Sequence, residues 1–208
     1  MPSRRVAVVD YGSGNIASVA NALWSAGAEP KILRTAEAVA RADRVVLPGV
    51  GASGAALDRL RRGGFDHALA ELYGAGHPIL AICVGMHALA EELEEFGFHR
   101  GLGWIGGRVV ELAVGADPRI RVPHMGWSEV IPANDEGTWF ETDSAKRYFY
   151  FCHSYHLVSD RTVAATAVHG TAFTAAIQLD SVLAVQFHPE KSSANGRNLL
   201  ERFLDWAP

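Results

Sequence analysis

Apolar segments of two kinds alternate along the first half of the chain. Short apolar runs bounded by turn or charged residues are typical of buried strands, and they predict strands over 5–9, 30–33, 44–47 and 79–82. Longer segments with apolar residues three and four positions apart predict helices through about residue 26, over 53–73, and from just after residue 83 to about 93. This alternation indicates a parallel sheet with helices on both faces.

The second half of the chain is richer in glycine and in short β-type runs. An acidic cluster at 91–95 is expected to end the preceding helix as a solvated face. Strands and hairpin turns are predicted over 101–112, 120–130, 147–158, 162–169, 173–178 and 182–187. The first three of these indicate a mainly antiparallel patch appended to the parallel sheet. A final amphipathic helix over 193–206 turns four side chains inward, Leu199, Leu200, Phe203 and Leu204.

Composition narrows the class of protein. The 208 residues, 49% of them hydrophobic and 20% charged, suit a single enzyme-sized domain over 1–208. A formal net charge of −4 without a basic stripe argues against nucleic-acid binding. Two cysteines give no disulfide framework, and the apolar run at 6–9 is too short for a signal peptide or a membrane span. We therefore expect a cytoplasmic protein with neither a nucleic acid nor a membrane as partner.

Cys83 lies where the predicted strand at 79–82 meets the helix that follows it. A side chain on such a strand-to-helix turn is pushed out at the carboxyl edge of a sheet, close to the free N–H groups of the helix start. That environment favours the thiolate form of a cysteine, so Cys83 is a candidate nucleophile. A small buried structural cysteine is the simpler alternative.

A second pair of candidate groups follows the predicted strand at 182–187. His188 and Glu190 lie two residues apart, and in an extended chain their side chains point the same way. Together with Cys83 they supply the nucleophile, the base and the carboxylate of a thiol triad. An unrelated thiol hydrolase on a similar sheet could use the same groups.

Two glycine-containing turns are candidates for ligand binding. Gly49 and Gly51 flank Val50 after the third predicted strand, where the backbone is free to aim N–H groups outward as an oxyanion hole requires. The segment 12–17 fits the dinucleotide pattern G-x-G-x-x-A, but the next strand ends at Arg34 instead of an acidic residue that would hold a ribose. We therefore expect no cofactor.

A metal site is also not expected. His153 and His156, with Cys152 beside them, are the nearest approach to a ligand set in the sequence. They lack the four groups at a recognised spacing that zinc requires, and the apolar strand around them favours a structural or substrate-edge role.

The complete set of motifs resembles the class I glutamine amidotransferase family. The resemblance extends over essentially the whole chain and rests on six segments in order, which are DYGSGN (10–15), LPGVGA (47–52), ICVGM (82–86), PHMGW (123–127), HSYH (153–156) and VQFHPEKS (185–192). It implies an α/β fold with a flavodoxin-like parallel sheet, helices on both faces and the appended antiparallel β patch. It also implies that Cys83 attacks the side-chain amide of glutamine, with His188 as base and then acid and Glu190 orienting the imidazole.

The same resemblance assigns roles to further residues. The oxyanion hole would be formed by main-chain atoms of Val50, Gly51 and Val84. Glutamine would be bound by Gly49, His87, His153, Ser154 and Tyr155. Family members that serve histidine biosynthesis pass ammonia into a (β/α)8-barrel cyclase subunit, and the matching contact positions in this chain are Asn15, Trp127, Tyr150 and Lys191.

The chain departs from the family pattern close to its nucleophile. His87 replaces a glutamine one helical turn beyond Cys83, and Ser53 and Ser128 replace the last residues of two other motifs. An imidazole still offers a hydrogen bond, but its reach and charge differ from those of an amide. We therefore expect weaker glutamine binding that depends on pH near neutrality.

Two other functions are consistent with the sequence. A paralogous subunit could supply ammonia for amidine formation on a cell-surface sugar, an alternative that the segment 94–109 and the altered motifs raise. A non-catalytic binding subunit would account for the altered glutamine pocket but not for the complete set of Cys83, His188 and Glu190. The partner and its substrate would separate the first alternative from histidine biosynthesis.

Overall fold

The computed structural model describes residues 4–113, 115, 120–133, 138–140, 147–159 and 163–208. The strands within these residues are β1 (Arg5–Val9), β2 (Glu29–Leu33), β3 (Val45–Leu47), β4 (Ile79–Ile82), β5 (Ala90–Leu93), β6 (His99–Arg100), β7 (Ile105–Glu111), β8 (His124–Glu129), β9 (Ile131–Pro132), β10 (Tyr148–His153), β11 (Tyr155–Val158), β12 (Val163–His169), β13 (Thr171–Leu179) and β14 (Val182–Val185). The α-helices are α1 (Ile16–Ser25), α2 (Ala36–Val39), α3 (Ser53–Arg62), α4 (Phe65–Gly74), α5 (Val84–Ala88) and α6 (Ser193–Asp205). Two 3-10 helices span Thr138–Phe140 and Pro189–Lys191.

The central sheet has eight strands in the order β2-β1-β3-β4-β14-β13-β12-β9. Its first five strands are parallel to one another, and the remaining three are added in antiparallel pairing. Two smaller sheets flank it, an antiparallel β8–β10 pair and a four-stranded sheet in the order β11-β7-β5-β6. The predicted parallel sheet with an antiparallel addition is confirmed, and part of that addition continues the central sheet itself.

The crossover connections place helices on both faces of the central sheet. The step from β1 to β2 runs in one direction across the sheet, whereas the steps from β2 to β3 and from β3 to β4 run in the other. Because such connections are right-handed, α1 lies on one face and α2, α3 and α4 lie on the opposite face. The C-terminal α6 packs with α1, and its four predicted inward leucine and phenylalanine side chains are all buried.

The predicted helix over 53–73 is in fact two helices. Helix α3 ends at Arg62, and α4 begins at Phe65. Gly64 between them has φ +68°, a left-handed conformation that glycine adopts readily and that ends a right-handed helix. The apolar spacing carries on across this break, which is why the sequence pattern alone predicts a single helix.

The predicted helix from residue 84 to about 93 is wrong in its second half. Helix α5 ends at Ala88, and the next residues form β5, which pairs with β6 and β7. Ala90 and Leu93 are buried while the two glutamates between them are exposed. A register irregularity between Ala90 and Glu92 shifts the strand's alternation, so its burial pattern matches helical spacing over four residues.

The central strands bring three chain segments together at one edge. Strands β3, β4 and β14 are neighbours, run parallel and are fully buried, as expected of continuous apolar runs in such sheets. Their carboxyl ends lead directly into Gly49–Gly51, Cys83 and His188, so the candidate groups meet at this edge. Among the described residues, none of the six α-helices has the length and hydrophobicity that crossing a bilayer requires.

Candidate active site

Cys83 stands on a strained turn between β4 and α5. Its φ of 53° and ψ of −109° lie outside the regions that side-chain-bearing residues usually adopt. Its backbone N–H donates to the carbonyl of Val185 at 2.7 Å, and its sulfur accepts from Nε2 of Gln186 at 3.7 Å. The predicted strand-to-helix turn is therefore present, and the bonds to residues 185 and 186 fix the nucleophile against the end of β14.

His188 follows β14 and makes a short, buried contact with Glu190. Its Nδ1 lies 2.8 Å from Oε1 of Glu190, and the two side chains are only 3% and 2% exposed. The expectation of extended chain at both residues is wrong for Glu190, because the 3-10 helix Pro189–Lys191 begins immediately after His188. The tight turn, rather than strand alternation, folds the carboxylate back onto the imidazole.

The electrostatic surroundings favour a protonated His188. Burial alone would lower the pKa of His188, but its hydrogen bonds to Cys83 and Glu190, together with their charges, raise that pKa to about 10. An imidazolium between a cysteine sulfur and a carboxylate is the arrangement in which a thiolate nucleophile is held ready. The described residues thus unite all three members of the candidate triad.

A cavity of about 390 Å³ opens onto the sulfur of Cys83. Ten of the predicted site residues line it: Val50, Gly51, Cys83, Val84, His87, His153, Ser154, Tyr155, His188 and Lys191. Gly49 does not line it, and instead packs against the strand-to-helix turn that carries Cys83, where an added Cβ would lie 2.5 Å from the backbone nitrogen of Gly85. The cavity has the size of a small-molecule site.

The glycine turn after β3 forms one wall of this cavity. Gly51 has φ +82°, and a Cβ there would meet nothing within 4 Å, so the requirement for glycine is conformational. The carbonyl of Val50 accepts a hydrogen bond from Oγ of Ser13 at 2.7 Å. Gly14 from the same loop packs on Pro48, so the predicted glycine-rich segment 12–17 serves here to support the turn.

His87 is buried deeper than the sequence suggests. Its side chain contacts Gln186, with Nε2 2.8 Å from Oε1, and the residue is 2% exposed. Burial lowers the pKa of His87, so the ring is neutral at neutral pH. The lowered pKa shifts the expected dependence of glutamine binding on pH toward more acidic solution, and that dependence stays a prediction.

Glu95 is a site residue that the sequence pattern does not reveal. The sequence places it in an acidic cluster expected to be solvated, but it lines the cavity, and its Oε2 accepts from both the backbone N–H and the hydroxyl of Ser53 at 2.7 Å. It is the one carboxylate among the described residues around the cavity. Because the contact joins α3 to the end of β5, no local signal in the sequence could have revealed it.

Three predicted interface residues form a surface cluster beside the cavity. Trp127 on β8 pairs with Tyr150 on β10, and their rings lie 6.1 Å apart edge to face. Nζ of Lys191, at the cavity wall, lies 5.7 Å from the centre of the Tyr150 ring. Trp127 is 50% exposed. Among the described contacts, none joins Asn15, which precedes α1, to this cluster.

Three histidines, His124, His153 and His156, have their rings packed around Phe173, and His169 stacks on His124. Nδ1 of His153 must donate to the carbonyl of Tyr155 at 3.0 Å, so its Nε2 accepts from Nδ1 of His124, also at 3.0 Å. Nε2 of His124 then accepts from Ser128, which stands at a position where this chain departs from the family motif. The described residues contain no group of histidine, cysteine and carboxylate side chains arranged to hold a metal ion.

Acid should destabilise this histidine cluster. Burial lowers the pKa of His124 to about 4 and that of His153 to about 2. Below pH 6.5 the unfolded chain binds a proton at each of these histidines, whereas the native chain does not. The free energy of unfolding is therefore highest above pH 6.5 and falls as the pH decreases toward the pKa values of the folded protein. We expect each histidine to cost about 1.4 kcal/mol of unfolding free energy per pH unit below 6.5.

Urea unfolding of the parent chain and of His124→Gln at pH 7 and pH 5 measures this loss. The variant should lose less stability between the two pH values than the parent chain does. His67→Gln, at an exposed histidine, is the matched control and should keep the parent dependence. Equal losses in the parent chain and in His124→Gln would contradict the assignment.

Comparison with known proteins agrees with this geometry. Residues 7–206 match the family described as glutamine amidotransferase class-I. Two solved structures cover 96% and 97% of this chain, a glutamine amidotransferase with a TM-score of 0.74 at 20% identity and PurLQS from Thermotoga maritima with 0.72 at 19%. At that identity they establish the fold alone. The chain belongs to the class I glutamine amidotransferase family.

Curated relatives narrow the resemblance further. The imidazole glycerol phosphate synthase subunit HisH of Zymomonas mobilis is 44% identical, over 99% of this chain and 98% of its own length. The protein of the same name from Rhodospirillum rubrum is also 44% identical, over 98% of this chain and all of its own. The chain therefore has nearly full-length likeness to this particular subunit within the family.

Proposed function

We propose that the chain is the glutaminase subunit of an imidazole glycerol phosphate synthase and supplies ammonia for histidine biosynthesis. The observation that carries the chemistry is His188, held between the sulfur of Cys83 and the carboxylate of Glu190 at the mouth of a cavity. The pathway is supported by the curated subunits that match this chain from end to end. A cytoplasmic location is part of the proposal, and both cysteines are free thiols.

The reaction proceeds in two halves. The sulfur of Cys83 attacks the carboxamide carbon of glutamine, and the C–N bond breaks as His188 gives its proton to the leaving nitrogen. This half yields a γ-glutamyl thioester and ammonia. Water then attacks the thioester carbon, His188 accepts a proton from it, and the C–S bond breaks to release glutamate. Glu190 stabilises the charged imidazole in each half.

The oxyanion that forms during both attacks needs hydrogen-bond donors next to Cys83. The main chain at Val50 and Gly51 and the N–H of Val84 are the proposed donors, since all three residues line the cavity around the sulfur. The Val50 carbonyl is engaged by Ser13, which holds this backbone segment against the loop before α1. At position 51 only a glycine can adopt the observed positive φ without strain.

The charged end of glutamine would bind in the part of the cavity that Glu95 and Ser154 line. Glu95 offers a carboxylate for the α-ammonium group, and Ser53 fixes that carboxylate through two hydrogen bonds of 2.7 Å. The turn at Ser154, between β10 and β11, offers backbone groups for the α-carboxylate. His153 supports that turn through its bond to the Tyr155 carbonyl, and it stays neutral because burial lowers its pKa.

The partner proposed for the exposed cluster is a (β/α)8-barrel cyclase subunit. Trp127 and Tyr150 present aromatic surface beside the wall of the cavity that Lys191 closes. Exposed aromatic and cationic side chains are enriched at protein interfaces. A partner covering this cluster would lie next to the site where ammonia is released, and would keep it from solvent.

Glutamate release by the chain alone, and with the cyclase subunit and its nucleotide substrate, tests the proposal. We expect strong stimulation by that cyclase, and its loss in Cys83→Ala. The chain would instead belong to the other pathway if this cyclase did not stimulate glutamate release but a paralogous partner that builds an amidine on a sugar did. No glutamate release with either partner would favour a non-catalytic subunit.

Removal of the Trp127 ring should weaken the complex. A half-exposed tryptophan at the centre of an interface contributes about 2 kcal/mol or more, so we expect Trp127→Ala to raise the cyclase concentration for half-maximal stimulation at least about tenfold. Trp24→Ala, at an exposed tryptophan on α1, is the matched control and should shift it less than about twofold. Equal shifts in both variants would argue against an interface at this cluster.

A further inference from the structure

Gln186 connects the nucleophile to the unusual histidine of this chain. It is fully buried, directly after β14, where its backbone N–H donates to the carbonyl of Ala175 at 2.9 Å. Its side-chain Nε2 lies 3.7 Å from the sulfur of Cys83, and its Oε1 lies 2.8 Å from Nε2 of His87. The three side chains therefore form one buried hydrogen-bonded chain.

The direction of this chain follows from the chemistry of its ends. A thiolate can only accept, so the carboxamide of Gln186 presents its N–H₂ group to Cys83 and its oxygen to His87. A carboxamide oxygen also only accepts, so the hydrogen of the neutral His87 ring must sit on Nε2. Every donor thus points toward the sulfur, and hydrogen bonds aligned in this way polarise one another.

We propose that Gln186 is a positioning residue, and that the aligned donors of His87 and Gln186 hold the Cys83 sulfur and stabilise its negative charge. This inference rests on the proposed glutaminase function only for its consequence in catalysis. Hydrogen bonds to charged groups are the strong ones in a buried site. The His87 ring serves as the far anchor of the amide, so its main partner is Gln186 rather than glutamine.

A buried amide without its anchor could turn over and place its oxygen against the sulfur. Two hydrogen-bond acceptors, the neutral carboxamide oxygen and the sulfur, would then face each other, which raises the free-energy cost of forming the thiolate. The His87 N–H prevents this because it binds only the oxygen of Gln186. A glutamine at position 87 also carries N–H donors, so it could hold Gln186 in the same orientation, whereas an apolar side chain could not.

The rate of Cys83 alkylation by iodoacetamide at pH 7 tests the inference without glutamine or a partner. Peptide mass mapping follows Cys83 and Cys152 in the same sample, so the second free thiol, which lines the same cavity, reports on reagent access to that cavity. We expect Gln186→Met, which keeps the side-chain length, to slow alkylation of Cys83 about tenfold with no change at Cys152. Unchanged alkylation of Cys83, or an equal change at both thiols, would overturn the inference.

A second pair of variants keeps the test decisive if Gln186→Met does not fold. His87→Leu removes the anchor, and we expect it to slow alkylation of Cys83 at least about threefold. His87→Gln restores a donor and should return the rate to within about twofold of the parent chain. Equal rates in His87→Leu and His87→Gln would show that the donor does not matter.

Glutamate release with the cyclase subunit separates this inference from the function. In a working glutaminase, Gln186→Met should lower kcat more than it raises KM, because the affected group is the nucleophile. If the parent chain releases no glutamate but its Cys83 alkylation still depends on Gln186 as described, the proposed function fails and the positioning role stands. Active enzyme with alkylation independent of Gln186 and His87 gives the opposite result.

Discussion

Cys83→Ala should lower glutamate release in the presence of the cyclase subunit by at least about 10⁴-fold. The remaining groups can still bind glutamine and polarise its carboxamide, but the sulfur that is hydrogen-bonded to His188 is gone, and water has no fixed place from which to attack. The substitution removes one atom at a position that is 3% exposed, so the fold should persist. Steady-state assays of glutamate formation, with thermal unfolding as a check on folding, measure this effect.

Glu190→Gln tests the electrostatic part of the same arrangement. An amide can still contact Nδ1 of His188 but does not balance the imidazolium charge, so we expect a loss smaller than that of Cys83→Ala and at least about 10²-fold. Glu201→Gln makes the same chemical change at a half-exposed carboxylate on α6, which pairs with Arg197 on the same helix, and should leave activity intact. Parent-like activity in Cys83→Ala or in Glu190→Gln would rule out the triad as assigned.

The sequence alone could predict the parts of the site that sit at strand ends. Cys83 and His188 each follow a short buried strand, and parallel strands in one sheet bring such ends to a common edge. The spacing of two residues also identified Glu190, although the reason was wrong. The 3-10 turn, not an extended chain, brings its carboxylate to 2.8 Å from the ring.

The parts that could not be predicted depend on packing between distant segments. Glu95 enters the cavity because β5 follows the short helix α5, whereas a continuous helix would have carried it elsewhere. Gln186 alternates with His188 on the same segment, but its role depends on Cys83 and His87, more than ninety residues earlier in the chain. Single-sequence patterns carry no information on such long-range contacts.

Gly85→Ala should damage both stability and activity although it adds a single methyl group. A Cβ at this position would lie 2.2 Å from the carbonyl oxygen of Leu47, which belongs to β3 and is fully buried. The backbone of Leu47 cannot shift away from the added methyl group, because β3 is hydrogen-bonded between β1 and β4 in the middle of the sheet. Helix α5 must move instead, and Cys83 lies two residues before Gly85 on the same turn.

The expected cost follows from this forced movement. Overpacking against a rigid neighbour costs about 3 kcal/mol of unfolding free energy, and a shift of the nucleophile by about 1 Å lowers glutamate release about 100-fold. Urea unfolding and the glutaminase assay measure the two effects separately. Gly74→Ala is the matched control, because this helical glycine of α4 has nothing within 4 Å of its added Cβ and should be neutral or slightly stabilised. If Gly85→Ala unfolds at the parent urea concentration and keeps its activity, the contact between α5 and β3 does not position Cys83.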